Sequence, residues 1–343
     1  MPETAIVILN WNGLDFLKMF LGHVIKLSSS PGVKVYVADN GSDDGSAEWV
    51  KTNHREAEVI RLDRNHGFAG GYNIALQQVK ADYFVLLNTD IEVTSGWLTP
   101  LINHMEQNPG MASCMPKILS WKNRESFEYA GAAGGYIDKY GYPFCRGRIF
   151  GNVETDNGQY DNYTDIFWSS GACMIVRASA WERCSGFDSD FFAHMEEIDL
   201  CWRFAHAGYR VGFVPTSVVY HVGGGALPYE SPFKIYLNFR NNLYMLYKNL
   251  NKEGFRKKMF IRKILDGLAA LLFLLKGNIA GFRSVFKAHM DYYRNRGKLK
   301  AKRKIVQNYV NEYDPPVLNK SIVFEFYARG IKTFSQLNMK FEK

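Results

Sequence analysis

Residues 83–93 read YFVLLNTDIEV, an apolar run followed by a short polar triplet. Residues 84–87 have the length and continuous hydrophobicity of a strand that is buried on both faces. Asn88, Thr89 and Asp90 follow at the carboxyl end of this strand, which is the edge where ligands bind in open α/β sheets. A carboxylate there suits a divalent cation that holds a diphosphate. The triplet alone is weak evidence, because polar turns often follow strands.

Three earlier segments repeat the pattern of an apolar strand, a glycine-bearing polar turn and a helix. Their strands are predicted at residues 5–9, 33–38 and 57–62, and their turns read NWNG, DNGSDDGS and NHGFAGGYN. Further strands are predicted at residues 111–119, 167–177 and 209–219. Successive β-turn-α units predict an α/β domain with a parallel sheet. No GxGxxG fingerprint follows the first strand and no GxxxxGK[ST] sequence occurs, which argues against NAD enzymes and P-loop ATPases.

Polar residues at predicted turns and helix starts suggest specific roles, and most of them have both a functional and a structural interpretation. Asp39 can accept a hydrogen bond from the imide N–H of a pyrimidine base, or it can cap the next helix. Glu196 and Glu197 are candidate catalytic acids, or they stabilise a helix start. Asp199 and Arg203 have the spacing of an i,i+4 ion pair. His221, at the end of the last strand, is a structural histidine or a metal ligand.

Charge is concentrated towards the end of the chain. Residues 252–304 contain sixteen basic and three acidic residues, in a chain whose total net charge is +8. This block contains no nucleic-acid-binding motif, so we expect no nucleic-acid partner. Its apolar run at residues 268–275 is too short to span a bilayer. We expect an interfacial helical hairpin on an anionic membrane, the alternative being helices packed on the domain with a solvated basic face.

The remaining composition bears on compartment and domain organisation. Five cysteines lack C-x-x-C spacing, and the first residues do not resemble a signal peptide, so a cytoplasmic location is predicted. Residues 121–163 show little periodicity and are predicted to form short antiparallel strands that act as an acceptor lid. We predict a catalytic domain at residues 1–230 and a helical, basic, membrane-associating region at residues 231–343.

Taken together, these segments resemble the family 2 glycosyltransferases, particularly the bacterial rhamnosyltransferase-like members. The likeness covers about residues 4–250 and follows the family's order through VILNWNG, VADNGSDDGS, NHGFAGGYN, LLNTDIEV, SGACMIVR, FFAHMEEIDLCWR and HVGGG. It implies a GT-A fold, which is Rossmann-like with a mainly parallel sheet and helices on both faces, here with a C-terminal helical extension.

The resemblance also implies roles for individual residues. Asp90 and His221 would hold Mg²⁺ or Mn²⁺, and Glu197, preceded by Glu196, would be the catalytic base. The family has Glu-Asp where this chain has Glu-Glu, which leaves the assignment between the two glutamates open. The nucleotide sugar would be bound by Leu9, Asn10, Trp11, Asp39, Asn65, Gly67, Asn73, Asn88, Thr89 and Asp90.

The function that follows from the resemblance is inverting transfer of a sugar. The donor would be dTDP-rhamnose or a UDP-sugar, and the acceptor a hydroxyl of a saccharide or lipid-linked saccharide in cell-surface polysaccharide synthesis. The enzyme would lie peripherally on the inner face of the cell membrane. The carboxylates would also suit a glycoside hydrolase with two paired acids, but the turns that bind nucleotide in the family would then have no role. The alternative is a non-catalytic homologue that binds nucleotide sugars.

Overall fold

The structure is a computed structural model that describes residues 2–223, 231–309 and 313–339. Its main sheet contains nine strands within these residues, including all those predicted from apolar runs. They are β1 Thr4–Asn10, β2 Val33–Asp39, β3 Ala57–Arg61, β4 Tyr83–Asn88, β5 Ile91–Val93, β6 Met111–Ser120, β11 Thr164–Asp165, β12 Cys173–Arg177 and β13 Arg210–His221. The helices that connect or follow them are α1 Leu14–Ser28, α2 Ser46–Asn53, α3 Gly67–Leu76, α4 Leu98–Gln107, α5 Ala178–Arg183 and α6 Glu196–His206.

The order of the main sheet is β11-β13-β6-β12-β4-β1-β2-β3, with β5 paired to β13. The strands β3, β2, β1 and β4 run parallel, as the β-turn-α repeats predict. β12 lies antiparallel between β4 and β6, while β6 and β13 are parallel to each other. The predicted strand at residues 167–177 begins only at Cys173, because Trp168 forms a bridge with Gly135 and residues 170–173 form a turn beside the end of β4.

β4 occupies the middle of the sheet and is almost completely buried. Val85, Leu86 and Leu87 have no exposed surface, which agrees with the apolar run that predicts this strand. Complete burial of such a side chain contributes about 1.5–3 kcal/mol. The core therefore holds the carboxyl end of β4 in a fixed position.

A second sheet is formed by the segment that lacks periodicity. It has the order β10-β9-β8-β7-β14, where β7 is Gly135–Asp138, β8 is Pro143–Cys145, β9 is Arg148–Ile149, β10 is Asn152–Val153 and β14 is Val317–Leu318. The short antiparallel strands predicted for residues 121–163 are confirmed for β7 to β10. β14 comes from near the end of the chain and pairs parallel to β7.

The C-terminal region is helical, as predicted. Its helices are α7 Pro232–Asn249, α8 Phe255–Leu275, α9 Ile279–Arg294, α10 Arg296–Val306 and α11 Ile322–Tyr327. Leu243, Met245 and Leu246 of α7 belong to the same hydrophobic core as the main sheet. The proposed division at residue 230 stays a prediction, but α7 packs as part of the first unit.

Buried charges fasten α7 to the segment before α6. The Lys248 ammonium is 2% exposed and lies 2.6 Å from Asp188 and 2.9 Å from Asp199. The predicted pair of Asp199 and Arg203 is confirmed, with 2.9 Å between them. Burial alone would raise the pKa of Asp188, but Lys248 and Lys302 of α10 hold it well below its usual range. The C-terminal helices therefore support α6 directly.

Candidate active site

The register of three parallel strands gathers the first predicted residues at one sheet edge. Asn10 at the end of β1 pairs with Asp39 at the end of β2, and Leu9 pairs with Asn88 at the end of β4. Thr89 and Asp90 come directly after Asn88. Because these strands are parallel, their polar turns converge at their carboxyl ends.

Asn10 organises the first turn. Its Nδ2 donates to Ser46 Oγ at 2.7 Å and to Ser42 Oγ at 3.1 Å, and lies 3.3 Å from Asp39 Oδ1. Its Oδ1 accepts from the Gly13 N–H. Asn10 and Asp39 are both buried, so this network fixes the Asp39 carboxylate. Trp11, in contrast, is 49% exposed and offers an open aromatic face at the rim.

The turn before α3 is built by two asparagines. Asn40 accepts from the His66 N–H and donates to the Gly67 carbonyl, both at 3.0 Å, while Asn65 Oδ1 accepts from the Gly67 N–H at 2.8 Å. Gly67 has φ +72°, and a Cβ there would lie 2.5 Å from the Phe192 carbonyl oxygen. Only glycine fits this close approach, which brings the α3 turn against the segment before α6.

Asn73 lies in the same helix, but its amide is already engaged. Nδ2 donates to the Phe187 carbonyl at 2.7 Å and to Ser189 Oγ at 3.1 Å, and Oδ1 accepts from the Phe187 N–H at 2.9 Å. These bonds brace the segment that leads to α6. The role of Asn73 as a residue lining the nucleotide-sugar cleft stays a prediction.

Asp90 and His221 meet because β5 and β13 are antiparallel with Ile91 opposite His221. Asp90 Oδ1 lies 3.1 Å from His221 Nε2, and both residues are buried. On the other side of the ring, His221 Nδ1 lies 3.1 Å from Glu128 Oε2, at an angle outside that of a hydrogen bond. Gly224 and Gly225 of the HVGGG motif lie outside the described residues.

This arrangement makes His221 strongly basic. Burial alone would lower its pKa, but the carboxylates of Asp90 and Glu128 raise it to about 10. Burial would raise the pKa of Asp90, and the charge of His221 holds it below its ordinary value. Among the residues described, no group of three or more His, Cys, Asp or Glu side chains is arranged to hold a metal ion.

Glu196 and Glu197 begin α6, as predicted, but their environments differ. Glu196 is 4% exposed, and burial together with the charge of Glu197 raises its pKa well above its ordinary value. Glu197 is partly exposed, and burial of its carboxylate raises its pKa to about 7. In each of them Oε2 is buried without a hydrogen-bond partner in the described part of the chain.

The turn at residues 170–173 lies between Glu197 and the end of β4. The Asn88 N–H donates to the Ala172 carbonyl at 2.9 Å. A Cβ built on Gly171 would lie 3.9 Å from the Cβ of Glu197 and 3.2 Å from the ring of Phe68. Glu197 therefore belongs to the same edge as Asn88, close to the turn that precedes α3.

Sequence reasoning missed three residues of this region. Asn40 stands next to the predicted Asp39, and its position in a polar turn was the only available signal. Glu128 lies in the segment without periodicity, so nothing in the local pattern indicates its contact with His221. Asn241 of α7 is fully buried on an otherwise mixed helix, and a buried asparagine is recognised only once the packing is known.

Comparison with known proteins gives a family assignment. The model of the family described as "Glycosyl transferase family 2" matches residues 5–183, which is more than half of the chain. An N-acetylglucosaminyl-diphospho-decaprenol L-rhamnosyltransferase of Mycobacterium tuberculosis (strain CDC 1551 / Oshkosh) is 24% identical over 234 residues, covering 63% of this chain and 75% of the relative. Rhamnosyltransferase WbbL of Escherichia coli (strain K12) is 28% identical over 163 residues, covering 46% of this chain and 61% of the relative.

Solved structures agree on the fold. A crystal structure of GalNAc-T7 with UDP, GalNAc and Mn²⁺ superposes with a TM-score of 0.55 at 16% identity, over 72% of this chain and 48% of that protein. This chain thus spans about half the length of that glycosyltransferase, and the likeness concerns the fold alone. The predicted GT-A fold is confirmed, and this chain belongs to glycosyl transferase family 2.

Proposed function

We propose that this protein is an inverting, metal-dependent glycosyltransferase. It would move a sugar from a nucleoside-diphosphate sugar to a hydroxyl of a saccharide or lipid-linked saccharide during cell-surface polysaccharide synthesis. The observation that carries the proposal is the buried pair of Asp90 and His221 at the carboxyl edge of the sheet, in a member of this family. Other residues of the candidate site support metal binding, proton transfer and donor binding.

The donor set of this pair suits a divalent cation. One carboxylate oxygen and one imidazole nitrogen would both be ligands for Mn²⁺, and these two atoms lie 3.1 Å apart. Nε2 of His221 would have to carry no proton, which leaves the ring proton on Nδ1, 3.1 Å from Glu128 Oε2. A bound ion would offset charge that develops on the leaving diphosphate.

Glu197 is the better base of the two glutamates. Its partial exposure lets it meet an acceptor, and a pKa of about 7 suits proton transfer near neutral pH. Glu196 is buried, and burial together with the charge of Glu197 raises its pKa well above its ordinary value. Glu197 would take the proton of the acceptor hydroxyl while the oxygen attacks the anomeric carbon. The bond to the diphosphate breaks on the opposite face of the sugar, which inverts the anomeric centre.

The other predicted residues would hold the donor. Asp39 is fixed by Asn10 and would accept the imide N–H of uracil or thymine, while the exposed ring of Trp11 would contact the base. Leu9, Asn65, Gly67, Asn73, Asn88 and Thr89 would line the remaining cleft. The M. tuberculosis and E. coli relatives are named rhamnosyltransferases, which favours a deoxysugar donor such as dTDP-rhamnose over a UDP-sugar. The lipid diphosphate in the mycobacterial name favours a lipid-linked acceptor.

A donor panel tests the proposal. We expect purified protein to release nucleoside diphosphate from one donor, with Mn²⁺ or Mg²⁺ and an acceptor present, and to lose this activity in EDTA. The anomeric configuration of the product, read by NMR, would be opposite to that of the donor. A non-catalytic homologue would bind a nucleotide sugar without releasing diphosphate from any member of the panel.

A membrane role is proposed for α8 and α9, which lie on either side of a short turn at residues 276–278. Each helix exposes an apolar stripe at i, i+3 and i+4 spacing. We call these residues the hairpin surface: Phe260, Ile264, Leu268, Leu271, Leu272, Leu275, Ile279, Phe282, Phe286 and Met290. Exposed basic residues border it, including Arg256, Lys257, Lys276, Arg283 and Lys287. In the described ranges, no helix combines the length and hydrophobicity that crossing a bilayer requires.

Not all of the basic block contributes to this surface. Arg262 is 3% exposed and is paired with Asp266 at 2.8 Å. Lys302 is paired with Asp188 and Asp190, and Arg303 donates to the Tyr247 carbonyl. These three residues make contacts within the protein and are not counted in the basic border of the hairpin surface. The hairpin surface and its own basic border support peripheral binding to the cytoplasmic face of an anionic membrane.

The variant Arg283→Gln/Lys287→Gln tests this role. Each basic residue near an anionic surface contributes about 1 kcal/mol, so we expect about 30-fold weaker binding to phosphatidylserine-containing vesicles in a sedimentation assay. Lys18→Gln/Lys26→Gln is the control, because it removes the same charge from exposed positions of α1. Equal weakening by both variants would contradict a specific role for the hairpin surface.

A further inference from the structure

The segment that leads into α6 has an unusual backbone. Phe192, His194 and Met195 have φ values of 66°, 68° and 73°, and none of them is glycine. Residues other than glycine rarely adopt this region, although asparagine, aspartate and histidine do so more often than the rest, and the conformation is strained. Such a conformation persists only where surrounding contacts hold it. Glu197 follows immediately, so these contacts also determine where its carboxylate lies.

Asn241 supplies three of these contacts from α7. Its side chain has no exposed surface, and Nδ2 lies 2.9 Å from the Phe191 carbonyl oxygen, 2.8 Å from that of Ala193 and 2.7 Å from that of His194. One amide group thus contacts the carbonyl groups of two residues of this segment and of Phe191, which directly precedes it. An NH₂ group has two protons, so one proton is shared between two acceptors.

Arg240 fixes the orientation of this amide. Its Nε and Nη2 donate to Asn241 Oδ1 at 2.9 Å and 2.7 Å, so the Asn241 oxygen faces the guanidinium and its nitrogen faces the carbonyls. Arg240 Nη2 also donates to the carbonyls of Asp190 and Phe191, each at 2.9 Å. The two neighbouring side chains therefore act on the same short stretch of backbone.

The opposite side of the segment contacts the donor side of the site. The Ala69 N–H of α3 donates to the Phe192 carbonyl at 3.2 Å, and Asn73 holds Phe187 and Ser189. The strained segment thus lies between α3 and α7. A small shift of its backbone would move Glu197 relative to a donor held at the sheet edge.

We propose that Asn241, oriented by Arg240, is a positioning residue that maintains the strained segment 192–195 and thereby places Glu197 for proton abstraction. This inference rests on the proposed function for the role of Glu197. The clamp itself, meaning the contacts of Arg240 and Asn241 with the carbonyls of residues 190–194, does not depend on it. Asn241 touches no reacting group, so its effect is on geometry rather than on donor binding.

Asn241→Ala should lower kcat by about 10- to 100-fold, since a displacement of about 1 Å can cost 10²-fold in rate. KM for the donor should stay within about twofold. The amides of residues 192–197 should exchange with solvent deuterium at least about tenfold faster. Arg240→Gln, at a half-buried position, should also lower kcat and speed exchange, each by less, with KM for the donor again within about twofold.

Asn242→Ala is the matched control. Asn242 is the next residue of the same helix, is 1% exposed and also donates to a main-chain carbonyl, that of Gly141 at 2.7 Å. Its loss should lower the Tm about as much as that of Asn241, with kcat and exchange of residues 192–197 unchanged within about twofold. Equal loss of kcat in the two variants would overturn the inference, as would unchanged exchange in Asn241→Ala.

The exchange measurement separates this inference from the proposed function. If residues 192–197 exchange rapidly in Asn241→Ala while Glu197→Gln is fully active, the clamp is supported and Glu197 is refuted as the base. An inactive Glu197→Gln beside an Asn241→Ala variant with normal kcat would refute the positioning role alone. If Asn241→Ala does not fold, Arg240→Gln decides by the same two readouts.

Discussion

Transfer by the Glu197→Gln variant is expected to fall by about 10²- to 10⁴-fold, with donor and metal affinity close to those of the wild type. Glutamine keeps the size of the side chain and can still form hydrogen bonds, but it cannot accept a proton at neutral pH. Turnover and donor binding should be measured side by side, the first by product formation and the second by calorimetry. Wild-type turnover in this variant would remove Glu197 from the mechanism.

The pH dependence of the wild type provides a second test of the same base. Because burial raises the pKa of Glu197 to about 7, the ionised form that accepts a proton is gained as pH rises through this value. The rate should therefore increase with pH up to about 7 and level off above it. The residual activity of Glu197→Gln should lack this increase.

Glu196→Gln is the control for this prediction. Glu196 is buried, so it is not placed to meet an acceptor, and glutamine has the same size as the side chain it replaces. We expect a much smaller loss of transfer than for Glu197→Gln. If Glu196→Gln is inactive and Glu197→Gln is active, the roles of the two glutamates are reversed.

Asp90→Asn is expected to lower transfer by at least about 10²-fold and to weaken Mn²⁺-dependent nucleotide binding. An amide oxygen is a poorer ligand than a carboxylate, and an ion bound at the diphosphate contributes several kcal/mol to stabilising the transition state, with 1.36 kcal/mol equal to a factor of ten. Nucleotide affinity should be measured with and without Mn²⁺. Asp90→Asn should lower the nucleotide affinity measured with Mn²⁺ and leave the affinity measured without Mn²⁺ unchanged.

Asp266→Asn is a matched control for Asp90→Asn. Asp266 is also a buried aspartate, and it lies 3.2 Å from His289 among the C-terminal helices. Its substitution should lower stability without changing how Mn²⁺ affects nucleotide binding. If the two variants lose activity in proportion to their loss of Tm, then Asp90 has a structural role rather than a ligand role.

The pattern of apolar runs and polar turns predicted the strands of the parallel part of the sheet. β1, β2 and β4 were found because each is an apolar run that ends in a polar turn, and the approach of Asn10 to Asp39 follows from the parallel register. β12 was predicted as a strand, but its antiparallel insertion beside β4 depends on partners that periodicity does not reveal. The start of that strand was placed too early because the apolar residues Phe167 and Trp168 pack in the core without continuing the ladder.

The candidate site divides in the same way. Asp90 and the two glutamates are recognisable from their motifs, whereas the contact of Glu128 with His221 joins residues that are far apart in sequence. The distinction between Glu196 and Glu197 depends on burial, which two adjacent identical residues cannot reveal. Likewise, the role of Asn241 can be inferred only when the backbone conformation of the segment that its amide contacts is known.

The pairing of β14 with β7 has a consequence for how the chain folds. The Ile322 N–H donates to Asp138, at the end of β7, across 184 positions of sequence. During synthesis, the edge of β7 that pairs with β14 therefore stays open until Val317 and Leu318 have left the ribosome. Exposed strand edges promote association between chains, and contacts of such long sequence separation form slowly. Truncation before residue 317 would leave that edge permanently open, and the shortened protein should aggregate during expression.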